Sequence, residues 1–91
     1  VNILAADQRA LCEQFSRTGT DKWAGVSWRP GATGSPLLDG VLASIDCHLE
    51  REIETGDHYL TIGRVVELDS TPGVEPLLFF NGSYNRLGLA A

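Results

Sequence analysis

Hydrophobic and polar residues alternate most regularly between Val41 and Glu52. Val41, Ala43, Ile45, Cys47 and Leu49 are apolar, and Ser44, Asp46, His48, Glu50 and Glu52 are polar. A period of two over this length predicts a strand with one buried apolar face and one wet polar face. The strand continues less regularly to Ile53. Thr55-Gly56-Asp57 interrupts it, and His58 to Leu68 predicts a second strand, enriched in Tyr59, Leu60, Ile62, Val65 and Val66. So short a break predicts a hairpin between the two.

The period changes near the start of the chain. Leu11 and Phe15 stand four apart with Cys12 beside them, and Gln8, Arg9, Glu13 and Gln14 supply polar positions. This spacing predicts a helix from Asp7 to about Arg17, with Asp7 as N-cap and Gly19 as the C-terminal stop. Trp23 to Trp28 reads as a short strand, and Gly31 to Pro36 as a turn. Asp69 to Gly73 reads as a second turn region. Pro76 to Phe80 is an apolar strand, Asn81-Gly82 a strong turn signal, and Ser83 to Ala91 an irregular tail. One helix and about five short strands predict a mainly β, antiparallel barrel or sandwich.

Composition narrows the function more than the fold. Ninety-one residues make one small domain, and no internal repeat divides them. The net charge is −5 and the seven basic residues are scattered. Nucleic-acid binding needs a basic footprint that this chain lacks, so nucleic acid and anionic membrane surfaces are excluded as expected partners. No run approaches the roughly 20 apolar residues of a membrane-spanning helix. Cys12 and Cys47 lie far apart in apolar patterns and read as reduced core residues, which fits a cytoplasmic protein. There is no GxGxxG, P-loop, zinc-finger or HExxH spacing, and no metal site is expected. The chain lacks methionine and opens on Val1-Asn2-Ile3-Leu4, which reads as part of a strand; the expectation is that the natural protein continues upstream.

Five pieces in order carry a family resemblance. They are Val1-Asn2-Ile3-Leu4 with Gln8, Leu11 and Phe15; Trp23-Ala24-Gly25-Val26 with Gly34, Pro36, Leu38 and Gly40; and Val41 to Leu49 with Cys47. Gly56-Asp57-His58 with Ile62-Gly63-Arg64-Val65, and Pro76 to Phe80 with Gly82 and Tyr84, complete the set. Together they resemble the flavin reductase-like family of FMN-binding split barrels, which includes reductase components of two-component flavin monooxygenases. Trp23 departs from the family's usual phenylalanine, and Asn81 from a common arginine. The resemblance implies that residues 1–91 are the C-terminal portion of a single domain, a homodimeric Greek-key split β-barrel. It implies hydride transfer from NADH or NADPH to FMN or FAD, with reduced flavin supplied to a partner oxygenase. The family's Thr/Ser-rich flavin loop is absent from these residues. A non-catalytic flavin-binding or structural split-barrel module is the alternative.

The resemblance also implies the site residues. His58 follows a tight Gly-Asp turn and is expected to face the nicotinamide, as a hydrogen-bond partner or proton donor; a reference pKa of about 6.5 suits either role. The plainer alternative is a turn histidine bonded to Asp57. Tyr84 is expected as an aromatic wall on the nicotinamide side, or else as a packed tyrosine with its hydroxyl in water. Asn2, Ala5, Ala6 and Gln8 are expected along the flavin ring edge or ribityl chain. Their alternatives are a strand-end polar residue for Asn2 and a solvated first-turn residue for Gln8. His48 reads as solvated, Trp23 and Trp28 as shields of the core or of a dimer interface, and Leu11 and Phe15 as helix packing.

Overall fold

The computed structural model describes residues 1–88. Its elements are β1 (Asn2–Ile3), α1 (Arg9–Ser16), β2 (Trp28–Pro30), β3 (Pro36–Leu38), β4 (Ala43–Thr55), β5 (His58–Ser70), β6 (Leu78–Phe80) and β7 (Ser83–Asn85). Every pairing is antiparallel: β1-β4-β5 form one sheet, β2-β3 a second and β6-β7 a third. The mainly β, antiparallel reading with one helix is borne out.

Turn chemistry sets the two tight hairpins. β4 and β5 meet at Thr55 and His58, and Gly56 takes a φ of 62° at the first central position of the turn. That left-handed value suits glycine, which has no Cβ to clash. Asn81 and Gly82 both have positive φ, 51° and 77°. This is the pattern of a type I′ turn, which returns the chain directly into a paired strand. The tail expected to be irregular from Ser83 therefore begins with β7, and the rest of it from Leu89 lies outside the described residues.

The long strand keeps its place, but the start of its expected wet face is buried. Ser44 and Asp46, expected in water, are buried, Asp46 to 3% exposure, while Leu49 on the expected inner face is 65% exposed. The β2–β3 hairpin causes this by folding onto the polar side. The Thr33 amide donates to Asp46 Oδ2 (3.0 Å), and the Thr33 hydroxyl donates to Oδ1. Those bonds satisfy a buried carboxylate that would otherwise oppose folding. Gly31 permits the close approach, since a methyl there would lie 2.5 Å from Asp46 Oδ2. The ladder also carries irregularities at Asp46/Cys47 and Leu49/Arg51, so strict alternation cannot hold. The buried apolar residues, Ala5, Leu37, Leu38 and Val41, gather around β3 and the connection that follows it.

Two local expectations are corrected. Helix α1 begins at Arg9 with Gln8, not Asp7, at the cap position, because a turn closed by the Gln8 amide on the Ala5 carbonyl (2.9 Å) occupies the preceding residues. Residues 22–25 form a turn in place of a strand starting at Trp23. The Asp21 carboxylate accepts from the Trp23 amide, and Gln14 Nε2 donates to the carbonyls of Lys22 and Ala24, both at 2.9 Å. The strand starts instead at Trp28. Phe15, Trp23 and Trp28 then stack edge to face, with centroids 5.0 and 5.8 Å apart, fastening this segment to α1.

Candidate functional site

The start of α1 is held against the last third of the chain. The Ala6 amide donates to the Glu75 carbonyl (2.8 Å), and the Leu77 amide donates to the Leu4 carbonyl (2.9 Å), with Ala5 bridged to Pro76. This lacing brings the β6–β7 hairpin over α1. The Tyr84 hydroxyl donates to Cys12 Sγ (3.5 Å), and the Phe79 and Tyr84 rings meet edge to face at 5.2 Å. The Arg9 guanidinium lies 4.9 Å from the Tyr84 ring centroid, within cation–π range. The Cys12 contact is the main cause, and lost hydration the second, of a Tyr84 phenol held above its ordinary pKa. The ring is therefore a neutral wall at any physiological pH.

Two cavities adjoin at this point. One, about 340 Å³, lies between Ala5, Ala6, Gly40 and the 73–75 segment; the other, about 390 Å³, lies between Ala6, Arg9, Leu77 and Tyr84. Ala6 and Arg86 line both. Each volume falls within the range of small-molecule sites. Alanines at the junction add little bulk, and Tyr84 offers an aromatic surface, so the residues present fit a planar heterocycle of the flavin or nicotinamide kind.

Ala5, Ala6 and Gln8 lie in the turn just ahead of α1, and Ala6 shares a cavity with Tyr84. Ala5 is buried and forms wall, while Ala6 is the accessible member. Gln8 is already engaged: its Oε1 accepts from the Ala5 amide (2.9 Å) and its Nε2 donates to the Asp39 carbonyl (2.8 Å). Gly40, at φ 79°, leaves room for that side chain, because a methyl there would stand 3.2 Å from Gln8 Nε2. Asn2 ties β1 to β3, its Oδ1 accepting from the Leu38 amide (2.9 Å) and its Nδ2 donating to the Pro36 carbonyl (3.2 Å). It borders a separate apolar cavity of about 450 Å³ with Phe15 and Trp23.

His58 stands apart from this cluster. It sits at the β4–β5 tip, eleven residues along β4 from the Asn2–Ser44 pairing, or roughly 35 Å at strand rise. Its side chain is 81% exposed, and Nδ1 is 2.6 Å from Asp57 Oδ1. Sequence reasoning missed Arg9 and Arg86. Arg9 reads only as one of the helix's polar positions, and Arg86 lies in a segment expected to be irregular.

The site is thus a pair of adjoining open clefts beside a neutral tyrosine, on an antiparallel β chain. The comparison with known sequences is specific: the flavin reductase like domain model matches residues 1–88, and the chain belongs to that family. It is 44% identical over 87 residues to the flavin-dependent monooxygenase reductase subunit HsaB of Rhodococcus jostii (strain RHA1), covering 96% of this chain and 45% of that one. Nitrilotriacetate monooxygenase component B from Mycobacterium thermoresistibile superimposes with a TM-score of 0.89 at 39% identity, over 96% of this chain and 50% of that one. The NADH:FAD oxidoreductase SgcE6 of Streptomyces globisporus C-1027, in complex with NAD and FAD fragments, gives 0.89 at 31% identity, over 96% and 53%. The fold is that of the flavin reductase split barrels, and the chain spans about half the length of these relatives.

Proposed function

We propose that the protein is an NAD(P)H-dependent flavin reductase that passes a hydride from a nicotinamide nucleotide to FMN or FAD. Reduced flavin then serves a partner monooxygenase, in keeping with the reductase-subunit name of the HsaB relative. In this reading the chain is the C-terminal portion of one reductase domain. The observation that carries it is the pair of cavities meeting at Ala6 beside Tyr84, in a chain of this family.

The two cofactors supply the reacting atoms, and the protein supplies position and polarity. Ala5 and Ala6 form the low wall along which a ring lies, and Tyr84 closes the opposite side as an uncharged aromatic surface. Asn2 and Gln8 act by holding the backbone that shapes this wall. His58 lies too far along β4 to serve the cleft of its own chain. A second copy brings the hairpin tip to it, so the homodimer belongs to the proposal. The hairpin's exposed Leu49, Leu60, Val65 and Leu68 support a covered face there. A cytoplasmic location is consistent with two unpaired cysteines, and among the described residues no helix is long and apolar enough to cross a membrane.

Oxidation of NADH and NADPH by the full-length protein, with FMN and FAD in all four combinations, tests the activity. Turnover with at least one pair is expected, and no turnover with any pair overturns the proposal. In His58→Ala, turnover should fall by about tenfold or more, at the low end of or below proton-transfer contributions, with flavin affinity unchanged. Unaltered turnover would remove His58 from the site.

A further inference from the structure

Two arginines line the mouth of the Tyr84 cleft, and one of them, Arg9, also lies over the Tyr84 ring. The chain carries twelve acidic residues against seven basic ones, so a nucleotide phosphate meets a repulsive surface unless positive charge is placed locally. Arg9 and Arg86 line the cavity beside Tyr84. Each rests on a carboxylate, Arg9 Nε donating to Glu13 at 3.0 Å and an Arg86 amino group donating to Glu75 at 3.1 Å. Their side chains are 64% and 71% exposed. Exposed pairs of this kind contribute little to stability, so either guanidinium can exchange its carboxylate for a ligand at small cost. A phosphate offers a guanidinium paired oxygens and a higher charge than a carboxylate does.

We infer that Arg9 and Arg86 form the phosphate-binding edge of this cleft, gripping the phosphate of a nucleotide whose ring lies against Ala6 and Tyr84. The inference rests on the reading of the cleft as a nucleotide site. It also carries a selectivity. Asp7 and Glu75 line the first cavity and Glu13 pairs with Arg9 beside the second, so carboxylates oppose a free anion there. The edge therefore holds phosphate attached to a ring that the aromatic wall retains, and inorganic phosphate alone binds poorly. The phosphate belongs to the flavin or to the nicotinamide nucleotide, and the two sources separate experimentally.

The test uses the full-length protein and its Arg9→Gln/Arg86→Gln double variant. Flavin fluorescence titration gives the affinities for FMN and riboflavin, and calorimetry gives that for NAD⁺. The double variant should lose about tenfold or more in affinity for one phosphate-bearing nucleotide, the scale of a lost charge-assisted hydrogen bond, and should keep its affinity for riboflavin. Loss for FMN alone assigns the edge to the flavin phosphate, and loss for NAD⁺ alone assigns it to the nicotinamide nucleotide. The Lys/Lys variant, which keeps the charge, should recover part of the loss. Equal weakening of FMN and riboflavin would mark a packing defect and overturn the inference, as would unchanged affinity for both nucleotides. Wild-type turnover alongside these negative results would leave the reductase reading standing, whereas wild-type protein that binds neither nucleotide would remove both.

Discussion

At the scale of single residues, the family pattern marked positions whose work only the structure reveals. Asn2 and Gln8 read as cofactor contacts, and in the structure their amides also reach backbone partners 31 to 36 residues away at Pro36, Leu38 and Asp39. No local spacing encodes such a bond. Asp46 is the sharpest instance: the alternation put it in water, and the structure buries it under Thr33. The Thr33 hydroxyl, and then its amide, hold the Asp46 carboxyl below its ordinary pKa. A depressed pKa adds stability at pH values above the unfolded-state value of about 4, and that stability is lost as pH falls through the lower folded value. Wild-type protein should therefore lose thermal midpoint as pH drops below about 4, and Asp46→Asn should show a lower midpoint at neutral pH with a shallower acid decline. Parallel pH profiles for the two would contradict this role.

At the scale of elements, the turns were the most legible features. Gly56 announced the β4–β5 hairpin and Asn81-Gly82 a turn, because their backbone angles admit few other residues. Strand β7 was missed because three residues, Ser83-Tyr84-Asn85, carry no periodicity of their own and are strands only through β6. The burial of Ser44 and Asp46 on β4 was missed for the opposite reason. Its pattern was strong, but a hairpin from an earlier stretch of chain chose the polar face. That hairpin's seat depends on Gly31. Gly31→Ala should destabilise the fold by about 1–3 kcal/mol, the usual cost of forcing a methyl into a filled site, read from denaturant unfolding. Full wild-type stability would show that the turn does not press on Asp46.

At the scale of the whole molecule, the acidic charge and the mainly antiparallel architecture were readable from composition and turn spacing. The joining of the first and last thirds through Ala6–Glu75 and Tyr84–Cys12 was not, since it exists only once the chain has folded. The same geometry strands His58 at one end of a body 42 Å long. The full-length protein should accordingly sediment as a dimer at micromolar concentration; a stable monomer with full activity would deny His58 any site to reach. The most direct measurement of the central claim is a crystal structure of the full-length protein with flavin and NAD⁺. Ring density against Ala6 and Tyr84 is the expected result, and rings bound elsewhere with that cleft left open would contradict the account.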